Sequence, residues 1–121
     1  MRAPGHNTPD PVESELFRLE SQPDFSVFES EILGFRMSFP SNRIFSNLFR
    51  EIFIKRCYAV NTEHAVPYVL DCGANVGMMS LFVKREYPNA EVIAFEPHPE
   101  TYEYLQQNFA NSGYDDLLAV E

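Results

Sequence analysis

The sequence predicts an α/β protein built on a parallel sheet, and three observations predict it. Val69-Leu-Asp-Cys-Gly-Ala-Asn-Val-Gly77 reads as a strand that runs through a glycine turn into a helix. Nineteen residues after Gly77, Glu96 closes the apolar run Val92-Ile-Ala-Phe95, which is short enough to be a strand buried on both faces. Pro99 then stands where a first-turn proline is tolerated, with Tyr102, Leu105 and Phe109 marking the apolar stripe of a second helix. Residues 66–112 therefore read as a βαβα unit, its two strands parallel and joined by a right-handed crossover.

The remaining elements follow in chain order. Residues 1–24 carry Pro4, Pro9, Pro11 and Pro23 among Asp10, Glu13 and Glu15, which predicts a loosely ordered leader with at most a short helix around Glu15 to Leu19. Residues 25–65 form an N-terminal extension of one strand and one helix. The strand is read from Ile32, Leu33, Phe35, Met37 and Phe39, most of them alternating with Gly34, Arg36 and Ser38, and it ends at Pro40-Ser-Asn42. Phe45, Leu48, Phe49, Ile52 and Phe53 recur at helical spacing and predict an amphipathic helix over residues 43–56. Residues 66–121 hold the βαβα unit: a buried strand from Val66 to Leu70, a helix from Gly77 to about Glu86, the second strand and the second helix. Asp116-Leu-Leu-Ala-Val-Glu121 has the look of the start of a third strand.

With 121 residues and 45% hydrophobic content, one soluble domain is the expectation. A formal net charge of −9 disfavours a nucleic-acid backbone or an anionic membrane surface as partner, since both repel the chain on average. Arg43, Arg50, Lys55 and Arg56 read as the solvated face of the first long helix. Two cysteines, Cys57 and Cys72, are too few for a disulfide framework or a zinc site, so no metal is expected and a reducing cytoplasm fits best. Cys72 is expected to be a small buried residue behind the glycine turn, and His6 and His64 plain surface residues.

The carboxyl-end segments, Asp71 to Gly77 and Glu96 to His98, are where a ligand of an open α/β sheet binds. Gly73 lacks a β-carbon and lets a ligand approach the backbone, the amides of residues 74–77 are expected to open toward it, and Glu96 can accept hydrogen bonds from both hydroxyls of a ribose. A dinucleotide site wants further glycines where this chain has Asn75 and Met78, so a pyrophosphate fits poorly. An acid at Asp71, a bare backbone at Gly73 and an amide at Asn75 suit a ligand end bearing both a carboxylate and an ammonium. S-adenosylmethionine has that end, and a ribose.

These residues carry a more specific resemblance. Val-Leu-Asp-Cys-Gly-Ala-Asn-Val-Gly, the later Tyr-Pro-Asn-Ala-Glu-Val-Ile-Ala-Phe-Glu-Pro-His-Pro-Glu and the upstream Leu-Phe-Arg-Glu-Ile-Phe resemble the FkbM family of S-adenosylmethionine-dependent methyltransferases over roughly residues 30–112. The resemblance implies a Rossmann-like class I methyltransferase fold, apparently truncated after the second βα unit. It implies that Asp71, Gly73, Ala74, Asn75 and Gly77 hold the methionine end of the cofactor, that Glu96 binds the ribose hydroxyls, and that Pro97 and His98 lie near the adenine. For His98, a solvent-exposed helix cap is an equal alternative. The implied chemistry is methyl transfer to an oxygen of a small molecule or sugar, with no catalytic base assigned. In such a fold the strand ending at Asp71 is central, so one of its edges is expected to lack a partner and the isolated chain to be marginal. Two alternatives stand beside this reading. One is a non-catalytic module that pairs through the open sheet edge with a second copy or with a missing half. The other, a nicotinamide-dependent fragment, is opposed by Asn75 and Met78.

Overall fold

The structure, a computed structural model, describes residues 8–121, so Pro4 and His6 lie outside the described residues. In chain order it contains α1 (Pro11–Glu20), β1 (Glu29–Ile32), β2 (Phe35–Ser38), α2 (Asn42–Phe49), β3 (Tyr68–Cys72), α3 (Met78–Glu86), β4 (Glu91–Phe95), α4 (Pro99–Asn111) and β5 (Leu117–Val120). The βαβα unit is present with the expected parallel pairing, and β5 adds a third parallel strand in the order β3-β4-β5. Among the described residues no helix is long and apolar enough to cross a membrane.

Several elements correct the expectations. The leader's helix runs ten residues, Pro11–Glu20, rather than a short helix around Glu15 to Leu19, because the proline and acid that suggested disorder start it. The Asp10 carboxylate accepts a hydrogen bond from the Val12 amide at 2.9 Å, and Pro11 occupies a first-turn position where no amide is needed. Leu16 and Leu19 are fully buried, so this helix is part of the core.

The single strand expected through Ile32 to Phe39 is a hairpin. Leu33 and Gly34 both have positive φ, 52° and 80°, as a tight two-residue turn between antiparallel strands requires. Alternation misled here because Ile32, Phe35, Met37 and Phe39 are all buried on both sides of that turn. The long helix predicted over residues 43–56 is α2 followed by a π-helical turn at Arg50–Ile54, closed by the Lys55 amide on the Arg50 carbonyl at 2.8 Å. The wider turn leaves Phe49 and Phe53 stacked at 4.7 Å, and Phe53 meets Phe82 of α3 edge-on at 5.2 Å.

Among the described residues, helices cover the sheet on one face only. Val69, Val92 and Leu117 form one cross-strand row, and Asp71, Ala94 and Ala119 the next, both on the face that carries α3 and α4. On the opposite face the rows are Leu70, Ile93 and Leu118, then Cys72, Phe95 and Val120. Val66 to Leu70 was expected to be a buried strand. The strand instead runs from Tyr68 to Cys72 on the sheet edge, with Tyr68 62% and Leu70 54% exposed. Likewise β4 is buried on one face through Val92 and Ala94, while Ile93 and Phe95 are half-buried.

One hydrophobic core joins the N-terminal elements to the sheet, running from Leu16 and Leu19 through Met37, Phe45 and Phe49 to Leu81, Leu105 and Phe109. The buried Asn108 of α4 stitches the two parts together. Its amide nitrogen donates to the carbonyls of Ser38 in β2 (2.9 Å) and Val76 in the glycine turn (2.8 Å), and its oxygen accepts from the Ser38 amide at 2.7 Å.

Candidate functional site

At the carboxyl end of β3 the chain turns through three residues with positive φ, Gly73 (72°), Asn75 (54°) and Gly77 (96°). The two glycines serve different ends. A β-carbon at Gly73 would meet nothing within 4 Å, so that backbone faces open space. A β-carbon at Gly77 would lie 2.8 Å from Leu105 Cδ1 and 2.9 Å from Phe109 Cε1, so Gly77 is where the turn packs directly on α4.

The turn is fastened to β4 by its own amides. Those of Gly73 and Ala74 both donate to the Phe95 carbonyl at 2.9 Å, and that of Gly77 donates to the Ala74 carbonyl at 2.9 Å. The Asn75 amide donates to Glu96 Oε1 at 3.1 Å, and the His98 amide reaches Glu96 Oε2 at 3.4 Å. This corrects the expectation that the amides of residues 74–77 open toward a ligand, because those of Ala74, Asn75 and Gly77 are engaged within the turn. What the turn presents instead is the unobstructed backbone at Gly73. Beside it is the Glu96 carboxylate, each of whose oxygens keeps lone-pair capacity beyond the one amide it accepts.

Asp71 sits on the covered face of β3 and receives the Ser80 hydroxyl of α3 on Oδ2 at 2.7 Å. Its Oδ1 has no hydrogen-bond partner among the described residues, and none of their buried side-chain polar atoms lacks one, so Oδ1 is open to solvent. Pro97 and His98 are exposed beyond Glu96. The His98 side chain caps α4, with Nδ1 facing the Thr101 amide at 3.4 Å and the Thr101 hydroxyl at 3.2 Å. The structure thus brings Asp71, Gly73, Asn75 and Glu96 around one end of the sheet, with Gly77 and Ala74 supporting the turn from behind. Cys72 is corrected: it is exposed, since its side chain lies on the uncovered face.

Two hollows flank these elements. A cavity of about 240 Å³ lies beside the turn, between Asn75, Val76 and Thr101 on one side and Ile44 and Leu48 of α2 on the other. A larger one, about 520 Å³, lies near the amino end of β3, lined by Tyr58, Val60, Tyr68, Phe82 and Tyr87 among others. The larger hollow touches Val69 and Tyr87 at the start of the two motifs, but none of Asp71, Gly73, Ala74, Asn75, Gly77 or Glu96 to His98. Ligand chemistry belongs to the carboxyl end, where the acids and the bare backbone are. Among the described residues no cluster of three or more His, Cys, Asp or Glu side chains is arranged to hold a metal.

Sequence reasoning missed Ser80 and Asn108. Each is a polar residue on the buried side of a helix, and that break in the apolar stripe was the available signal.

No family model matches the chain. It is 43% identical over 75 residues to methyltransferase sdnD of Sordaria araneosa, covering 61% of this chain and 29% of that protein. It is 44% identical over 63 residues to the 31-O-demethyl-FK506 methyltransferase FkbM of Streptomyces tacrolimicus, covering 50% of this chain and 24% of that one. The chain therefore spans less than a third of the length of these curated relatives. Among solved structures, a Pyrococcus horikoshii protein described as a candidate transferase superposes with a TM-score of 0.60 at 23% identity, covering 80% of this chain and 36% of that one. The α/β unit is thus part of a class I methyltransferase fold, and over the matched residues the chain is similar to curated methyltransferases, FkbM of Streptomyces tacrolimicus among them.

Proposed function

We propose that this chain forms the S-adenosylmethionine-binding part of a methyltransferase that acts on an oxygen of a small molecule or sugar, in the cytoplasm. The observation that carries the reading is the placement of an open Asp71 Oδ1, an unobstructed backbone at Gly73 and the Glu96 carboxylate at the carboxyl ends of two adjacent parallel strands. The free backbone accommodates the methionine end, Asp71 attracts its ammonium, and Glu96 accepts from the ribose hydroxyls. When bound, the donor supplies an electrophilic sulfonium methyl for in-line attack by the acceptor oxygen. The residues of this chain hold and orient it, and positioning of that kind is a large share of what such a reaction needs. The similarity to methyltransferases supports the reading, and the two unpaired cysteines fit a reducing compartment.

Calorimetric titration of the folded chain with S-adenosylmethionine and S-adenosylhomocysteine tests this. Both are expected to bind. Glu96→Gln is expected to weaken both by roughly tenfold, about the worth of one charge-assisted hydrogen bond. A folded chain that binds neither ligand removes the reading. Turnover by these 121 residues alone is expected to be low, because one edge and one face of the sheet are uncovered.

That uncovered surface favours a second reading, in which the chain is a non-catalytic module that pairs through β3 with a second copy or a complementing half. Tyr68, Leu70 and Leu118 give it an apolar face beside an unpaired edge.

A further inference from the structure

We propose that Ser80 is the positioning residue for Asp71, aiming its free carboxylate oxygen at the ammonium of the ligand's amino-acid end. The inference rests on the reading of this site as a place for an S-adenosyl ligand. Ser80 lies on α3 three residues past Gly77, is fully buried, and donates its hydroxyl to Asp71 Oδ2 at 2.7 Å. A serine inside a helix is neutral to unfavourable there, and its hydroxyl commonly turns to a nearby backbone carbonyl. This one turns to a carboxylate on another element. Asp71 itself sits on an edge strand, with no hydrogen bond to its side chain from any other described residue. Without Ser80 the carboxylate is free to rotate about its last side-chain bond, whose preferences are broad and roughly two-fold.

The hydroxyl therefore fixes which oxygen faces α3 and which faces solvent. A carboxylate held by one oxygen presents the other in a fixed orientation, so an ammonium meets it without first ordering it. The adenosine part of the ligand is held elsewhere, by Glu96 just past β4, whose carboxylate accepts from the Asn75 and His98 amides and has no hydrogen bond with Ser80. Ser80 should then influence one end of the ligand and leave the other alone.

That separation gives the test. Ser80→Ala, Asp71→Asn and the unaltered chain are titrated with two probes, S-adenosylhomocysteine, which carries the amino-acid end, and 5′-methylthioadenosine, which lacks it. Ser80→Ala is expected to weaken S-adenosylhomocysteine roughly five- to tenfold, as for one hydrogen bond, and to leave 5′-methylthioadenosine within about twofold. Asp71→Asn should show the same selectivity with a larger loss. In the double variant the serine change should add little, because the two residues act as one unit. Equal weakening of both probes by Ser80→Ala, or no weakening of either, overturns the proposal while leaving the cofactor reading intact. If the unaltered folded chain binds neither probe, the cofactor reading fails and this inference falls with it. Melting temperatures of the variants are recorded alongside, and a Ser80→Ala chain that is unfolded under the titration conditions refutes a purely positioning role.

Discussion

Gly73 and Gly77 occupy the same turn, both with positive φ, yet their surroundings separate them. At Gly77 a methyl group would be forced into Leu105 and Phe109, in addition to the left-handed strain. Gly77→Ala is expected to cost roughly 2–4 kcal/mol, the sum of a backbone term and an overpacking term. At Gly73 only the backbone term applies, so Gly73→Ala should cost about 1–2 kcal/mol, while its β-carbon occupies the space a ligand needs. Urea denaturation paired with S-adenosylhomocysteine titration checks both. The expected pattern is a large stability loss at Gly77 and a large affinity loss, out of proportion to stability, at Gly73. The reverse pattern would show that the open space at Gly73 is not ligand space. Asp71, Gly73, Asn75 and Glu96 were legible in the sequence because spacing after a strand fixes their place at its carboxyl end. Ser80 was not, because its role depends on which face of β3 Asp71 points from, and a one-residue change of register would have reversed that face.

At the scale of elements, the sequence showed periodicities well and punctuation poorly. Alternation from Ile32 to Phe39 carried straight through a hairpin turn, because Leu33 is an unusual residue at positive φ and Gly34 alone did not announce a reversal. Pro11 and Asp10 were read as disorder although together they begin a helix whose Leu16 and Leu19 lie in the core. A further device joins α3 to the sheet. Lys84 is 1% exposed, and its ammonium donates to the carbonyls of Pro88 (2.7 Å) and Ala90 (2.9 Å) and to Asp116 Oδ2 (2.7 Å), fixing the approaches to β4 and β5. Lys84→Met should cost about 1–3 kcal/mol by leaving buried carbonyls without a donor. The hydrogen bond from Lys84 holds the Asp116 carboxyl below its ordinary range, with its ion pairing adding to this. A depressed carboxyl contributes stability above its unfolded-state pKa and loses it as pH falls through the lower folded-state value. The gap in melting temperature between the unaltered chain and Lys84→Met should therefore narrow on acidification through and below the aspartate range. Glu15, Glu20, Asp24 and Glu86, also depressed, titrate alike in both chains. A gap that stays constant with pH would mean that the carbonyls alone account for the role of Lys84.

For the molecule as a whole, the decisive feature is asymmetry: one face of the sheet is closed over by α3 and α4, and among the described residues no helix covers the other. The bare face follows from the sequence in a way that a single strand does not reveal, because Val-Leu-Asp-Cys reads as buried unless the neighbours of β3 are known. Leu70, Ile93 and Leu118 lie in register across all three strands, and β3 has no strand on its outer side among the described residues. Such an edge, apolar and carrying only Asp71 as a charged residue, has little protection against pairing. Opposing it is the net charge of −9, which drives copies apart at low ionic strength and is screened as salt rises. Sedimentation over a range of protein concentrations is therefore expected to show reversible self-association that strengthens with salt. Leu70→Lys should weaken it about tenfold or more, since it removes a buried leucine contact and places a charge at the centre of the pairing surface. The same substitution lies on the face opposite Asp71 and should leave S-adenosylhomocysteine binding unchanged. A chain that stays monomeric at every concentration and salt level would eliminate self-pairing, leaving only a complementing half as the occupant in the interaction reading. Association that salt weakens would place its origin in charge pairs rather than in the bare face of β3.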